Sequence, residues 1–169
     1  MKKMELQIKE ILSKDHLIYR EFIKQGLLGD ENRFRISPED EDRSPFPTQD
    51  RDDSFTLGAF LNGDLGGVVS FTRDGADREK LRHKGLLFRM FVSSNFRGHG
   101  IGRKLVDEVI KKARSLGSIE QINLTVIADN DNAKKLYTSS GFETFGKERN
   151  AIKWKGNYFD EEQMSLFLK

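Results

Sequence analysis

Leu86-Leu87-Phe88-Arg89-Met90-Phe91-Val92-Ser93-Ser94-Asn95-Phe96-Arg97-Gly98-His99-Gly100-Ile101-Gly102-Arg103-Lys104-Leu105 decides the fold of this 169-residue chain. It reads as an apolar strand, a short turn, a glycine-rich loop and the first turn of a helix. The apolar run Leu86 to Val92 predicts a strand covered on both faces. Glycines at the alternate positions 98, 100 and 102 let the backbone turn tightly and bring several N–H groups to one point. With the unpaired N–H groups of the helix that follows, they form an anion site. Arg103 and Lys104 in the first helical turn oppose the helix dipole, at a cost of roughly a few tenths of a kcal/mol each. A bound polyphosphate reverses that sign.

Two phosphate motifs fail on spacing. The dinucleotide fingerprint G-x-G-x-x-G, started at Gly98 and Gly100, needs a third glycine where Arg103 stands. The P-loop spacing G-x-x-x-x-G-K-[ST] is absent after Gly98. What fits is [QR]-x-x-G-x-[GA], here Arg97-Gly98-His99-Gly100-Ile101-Gly102.

Composition sets the outer bounds. Apolar residues make up 36% of the chain and charged residues 33%, which predicts one soluble globular domain of 169 residues with a real core. A net charge of +2, with lysines and arginines interleaved among acids, argues against a nucleic-acid binder. With no cysteine there is no disulfide, no thiolate metal site and no cysteine nucleophile. The start, Met1-Lys2-Lys3-Met4-Glu5, carries no apolar signal core, so a cytoplasmic location is expected.

In chain order, Leu6 to Ile11 reads as a strand with Leu6, Ile8 and Ile11 inward. Asp15 is a candidate N-cap for a helix carrying Leu17, Ile18, Phe22 and Ile23 and ending near Gly26. Gly29 to Asp53 has no clear period and holds all three prolines; Pro38 after Ser37 can open a short helix, and the rest reads as a long loop. Between Glu39 and Asp53 seven acids face two arginines, a local charge of −5. This reads either as a solvated surface or as an acidic mouth for a cationic substrate.

Phe55 to Leu61 and Leu65 to Thr72 alternate around Asn62-Gly63, a hairpin signature. The charged segment Arg73 to Lys84 leads into the opening strand. After the glycine loop, Ile101, Leu105, Val106, Val109, Ile110 and Ala113 line one helix face, and Gly117 ends it. Ile122, Leu124 and Val126 form a strand. A helix from Asn130 or Asp131 runs through Ala133, Leu136 and Tyr137 to Gly141. Phe142 to Gly146, and Met164, Leu166 and Leu168, read as the last two strands. The fold class is therefore α/β (α+β): a single domain with a mixed sheet and helices on both faces, locally parallel around the glycine loop and antiparallel at the hairpin.

The glycine loop resembles the acetyl-CoA pyrophosphate loop of the GCN5-related N-acetyltransferase (GNAT) family. Asn130-x-x-Ala133-x-x-Leu136-Tyr137-x-x-x-Gly141-Phe142 resembles the family's second motif and follows in the right order. Gly156-Asn157-Tyr158-Phe159-Asp160-Glu161-Glu162-Gln163-Met164 resembles its Y-x-D-E-x-x-M ending. The match covers about residues 54–169, the hairpin and acetyl-CoA-binding core; residues 1–53 fit only in outline, as a variable substrate-side segment.

The resemblance implies a mostly antiparallel GNAT sheet and direct acetyl transfer from acetyl-CoA to a primary amine of a small molecule or protein N-terminus, without metal. The rival is a non-catalytic acyl-CoA-binding module of the same fold, as monomer or homodimer in either case. By the same resemblance, Met90, Phe91 and Val92 pair with the pantetheine arm, with the backbone N–H of Phe91 or Val92 serving the oxyanion. Arg97, Gly98, His99, Gly100, Ile101, Gly102 and Arg103 cradle the pyrophosphate, and Asn130 bonds the cofactor arm. Tyr137 is the expected acid for the departing thiolate. No base stands on the central strand, whose one charged group is Arg89. His83, with Glu79 behind it, is the local candidate; Trp154 and Tyr158 can line the acceptor site or simply pack.

Overall fold

The computed structural model describes residues 4–169; Met1–Lys3, the first residues of the charged start, lie outside the described residues. The elements run β1 (Leu6–Ile11), α1 (His16–Gly29), α2 (Pro38–Arg43), β2 (Ser54–Leu61), β3 (Asp64–Arg73), β4 (Lys84–Val92), α3 (Ile101–Ser115), β5 (Gln121–Ile127), α4 (Asp131–Ser139), β6 (Glu143–Trp154) and β7 (Asn157–Phe167). The strands form one sheet in the order β1-β2-β3-β4-β5-β7-β6. β4 and β5 pair in parallel and every other neighbouring pair is antiparallel. This is the mixed, mostly antiparallel sheet expected.

Two cores flank the sheet. On one face α3 and α4 pack Leu105, Val106, Val109 and Tyr137 against Leu57, Val69, Leu87, Leu124 and Met164. On the other, α1 packs Tyr19, Phe22, Ile23 and Leu27 against Ile11, Val68 and Phe91. β1 serves both: Leu6 and Ile8 touch the first core, and Ile11 belongs to the second. At the hairpin, Asn62 and Gly63 have φ of 52° and 88°, as a two-residue turn with left-handed residues requires.

Four expectations need correction. The buried stripe of α1 is Tyr19, Phe22, Ile23, Gly26 and Leu27, whereas Leu17 and Ile18 are exposed. Gly26 does not end that helix, which runs to Gly29. A Cβ at Gly26 would stand 2.6 Å from the Phe91 ring, so the glycine is there for close approach of α1 to β4. The last hairpin is also far longer than expected, because residues 147–154 and 157–163 are polar strands carried by pairing rather than by an apolar pattern. Finally, β4 is not covered on both faces. Gly85 and Leu87 are buried, but the strand is only half-buried from Phe88 to Val92.

Candidate active site

That half-open stretch follows from where the sheet splits. β4 and β5 pair over only three positions, Lys84↔Gln121 to Leu86↔Asn123. Beyond them β4 runs on to Val92 and β5 to Ile127 without pairing, so one edge of β4 has free backbone N–H and C=O groups. On its other edge β4 carries a bulge. Phe88 faces Ser70 and Phe91 faces Val68, so Arg89 and Met90 together oppose Val69. Arg89 sits at φ +50°, a strained value for a side chain of its size.

The glycine loop closes the mouth of the split. Gly98 and Gly100 have φ of +84° and +73°, and a Cβ at either would meet no atom within 4 Å, so the loop's surface is open to an approaching group. Gly100 occupies the N-cap position of α3, leaving the N–H groups of Ile101, Gly102 and Arg103 free at the helix start. Gly102 lies closer to the wall, its Cβ position 3.1 Å from Leu136 and 3.4 Å from Met90. Together with Met90–Val92, Arg97, Asn130, Leu136 and Tyr137, these residues line a groove of about 380 Å³.

Nearly all the expected cofactor residues thus meet in one place. Arg97 reaches across the groove to Asp30 at 2.6 Å and also donates to the Val92 carbonyl. Arg103 is drawn along its helix to Asp107, 3.1 Å away. The Asn130 side chain caps α4, accepting from the Ala133 N–H at 3.3 Å. His99 is the exception: it is exposed, outside the groove lining, with Nδ1 3.1 Å from the Phe96 carbonyl.

Tyr137 stands where the groove meets a second cavity. This cavity, about 210 Å³, lies under the strap Arg33–Ile36 and is bounded by β4 and Thr125. The tyrosine is 6% exposed and packs edge-on against Phe142. Burial pushes its phenol above the ordinary tyrosine value, so it stays protonated at neutral pH. A third cavity, about 260 Å³, opens on the far side of the strap against Trp154 and Phe159 of the last hairpin. Tyr158 points away and is exposed.

The substrate-side segment is tied to the bulge by a buried ion pair that local sequence patterns do not reveal. Glu41 of α2 is fully buried and accepts from Arg89 Nη1 at 2.5 Å. Tyr19 lies beside the same guanidinium and Ser70, and burial pushes its phenol up to about 12. From Ser70 a chain of hydroxyls continues through Thr56, 2.8 Å away, to Thr48 at 2.7 Å. A comparable pair sits on the strap, where Arg35 Nε stands 2.7 Å from the buried Glu161.

Two candidates stand apart from the groove. His83 is in the turn before β4, its carbonyl accepting from the Glu120 N–H, seven residues or roughly 23 Å of strand from Met90. Neither it nor Glu79 lines the groove or the cavity at Tyr137. Five of the seven acids of the acidic segment have partners, while Glu39 and Asp52 are exposed. Glu41 holds Arg89, Asp42 holds Lys24, Asp50 accepts from Ser13 and Asp53 holds Arg73. Asp40 closes a capping box with Ser37. These carboxylates are taken up in binding α1, α2 and the sheet together.

A mixed sheet split at its one parallel pair, with an open glycine loop and a bare helix start at the mouth of the split, is the acyl-CoA N-acyltransferase fold. The model of the acetyltransferase (GNAT) family matches residues 18–142, and the chain belongs to that family. It is 30% identical over 109 residues to the L-amino acid N-acetyltransferase AaaT of Escherichia coli, covering 64% of this chain and 65% of that protein. It is 27% identical over 95 residues to the spermine/spermidine N(1)-acetyltransferase of Bacillus subtilis, covering 54% and 60% respectively. Each match therefore spans less than two thirds of the relative's length. Among solved structures, an acetyltransferase of the GNAT family from Streptococcus pneumoniae superposes with a TM-score of 0.81 at 26% identity, over 96% of this chain and 99% of that one. The yncA structure from Salmonella typhimurium, solved with acetyl-CoA, superposes at 0.80 with 18% identity, over 98% and 95%. Among the described residues no group of histidines and carboxylates has the arrangement of a metal site, and no helix is long and apolar enough to cross a membrane.

Proposed function

We propose that this chain is an acetyl-CoA-dependent N-acetyltransferase that passes acetyl directly to a primary amine. The observation that carries the reading is the convergence on Tyr137 of the open glycine loop and the unpaired edge of β4. The loop has the chemistry a pyrophosphate requires: free helix N-terminal N–H groups, two glycines with no obstructing atom, and flanking arginines. The free β4 edge offers an amide chain the pairing that β5 has given up. The curated relatives are N-acetyltransferases, and the yncA neighbour holds acetyl-CoA, which supports the same donor here.

The chemistry follows from the residues. A neutral amine attacks the thioester carbonyl, forming the C–N bond. The oxyanion is met by a backbone N–H of the bulged strand at Met90–Val92. As the C–S bond breaks, the Tyr137 hydroxyl gives its proton to the thiolate; the surplus proton on the new amide nitrogen leaves through water, and the phenoxide takes one back from water. A phenol held protonated by burial suits that acid role. His83 takes no part in this scheme.

The test is incubation with acetyl-CoA and a panel of primary amines, with acetylated product read by mass spectrometry. Product from at least one amine, lost without acetyl-CoA, is expected. Acetyl-CoA binding with no product from any member would favour a non-catalytic acyl-CoA-binding module.

A further inference from the structure

We propose that the amine acceptor is an amino acid, docked through its carboxylate on the guanidinium of Arg35. The inference rests on the transferase reading and names the acceptor class for the same site. The cavity that holds the Tyr137 phenol has Arg33, Arg35 and Arg89 in its lining and no carboxylate. Buried Glu41 and Glu161 neutralise two of these from behind, which leaves Arg33, unpaired among the described residues, as a net positive charge. Such a wall attracts an anion and disfavours the ammonium form of a bound amine. Both effects suit a molecule carrying a carboxylate beside the nitrogen that must be neutral to react.

Arg35 is the member built to receive the carboxylate. Its side chain is 65% exposed and lines the cavities on both sides of the strap. Its Nε stands 2.7 Å from Glu161, which is 1% exposed and shares one face of β7 with Phe159. The buried Glu161 carboxylate stands against the Nε side of the guanidinium by charge, without a hydrogen bond to it, and leaves the Nη edge for a second, bidentate carboxylate. Arg89 cannot serve equally, because its Nη1 is held by Glu41 and its side chain is 20% exposed. Ile23, Phe34, Ile36, Leu86 and Phe88 give the cavity a mostly apolar remainder, which suits an apolar amino-acid side chain.

Three probes isolate the carboxylate: L-leucine, L-leucinamide, and 3-methylbutylamine, which is leucine without it. Binding to the CoA-loaded protein by calorimetry, and kcat/KM with acetyl-CoA, should favour leucine by about 10–100-fold, the range for hydrogen bonds to a charged group. Arg35→Ala should erase the preference for leucine over leucinamide and 3-methylbutylamine. Arg35→Lys should restore part of it, and Glu161→Gln should raise the KM for leucine more than it lowers kcat. The double variant Arg35→Ala/Glu161→Gln, which leaves no buried charge unpaired, must show the same loss as Arg35→Ala. Equal binding of leucine and leucinamide by the wild type, or a preference that survives Arg35→Ala, would overturn the proposal. Leucine binding with the expected preference but no turnover of any probe would overturn the transferase reading and leave the carboxylate site standing.

Discussion

The glycine-loop region, residues 84–142, and the substrate-side segment, residues 4–53, build opposite walls of the same split sheet by different means. The first wall is made of backbone: positive-φ glycines, a bare helix start, and a strand edge without a partner. Backbone devices need particular residues at fixed spacing, so they leave a motif. The second wall is made of side-chain pairs between distant positions, Glu41 with Arg89 and Arg35 with Glu161. Such pairs leave no local pattern, and Glu41, one of the acids that read as an open mouth, is a buried fastening. One wall can be read as a ligand site from its sequence, and the other only from its partners.

Breaking the comparison at its chemical centre should give the largest effect. Tyr137→Phe keeps the ring against Phe142 but removes the proton donor. Turnover should fall by about 10²–10⁴-fold while the KM for acetyl-CoA stays within a factor of two or so. Steady-state kinetics with a confirmed acceptor decides it; unchanged kcat would make Tyr137 a packing residue.

The next effect belongs to the other wall. Glu41→Ala leaves the Arg89 guanidinium without its buried partner, at a bulge already strained at φ +50°. Removal of one member of a buried pair costs about 3–5 kcal/mol, to be read from the urea midpoint. Glu39→Ala, which removes an exposed acid of the same short helix, should cost less than about 0.5 kcal/mol. Equal effects would mean that the acids of α2 act together as a surface field rather than one by one.

A smaller, pH-dependent effect links the walls. Burial raises the phenols of Tyr19, to about 12, and of Tyr137 above the ordinary value near ~10. Because the folded pKa lies above the unfolded one, this stabilisation is complete below about pH 10 and is lost as pH rises toward 12, by at most about 1.4 kcal/mol per pH unit per tyrosine. Urea midpoints should hold steady between neutrality and pH 9 and drop above 10, with a shallower drop in Tyr19→Phe. An identical drop in that variant would exclude Tyr19 as a source.

The contrast also explains what sequence reading caught. The order of strands and helices, the hairpin at Asn62-Gly63 and the cap at Ser37 follow from local patterns and are present. Gly26 misled because a packing glycine and a helix-ending glycine look alike until Phe91 is placed against it. His83 is near the central strand in sequence but stands at its paired end, away from the open stretch. The polar strands of the last hairpin escaped notice because their partners, rather than an apolar alternation, hold them in the sheet.

The most direct test of the account is the thermal shift produced by acetyl-CoA in the wild type and in Gly102→Val. Gly102 has ordinary helical backbone, and its Cβ position faces Leu136 and Met90 at the floor of the groove, so valine fills the groove and leaves α3 intact. At one hundred times its dissociation constant, acetyl-CoA should stabilise the wild type by about 2.7 kcal/mol. The variant should melt cooperatively with little or no shift at the same concentration. A full acetyl-CoA shift in folded Gly102→Val would contradict the assignment of this groove as the donor site.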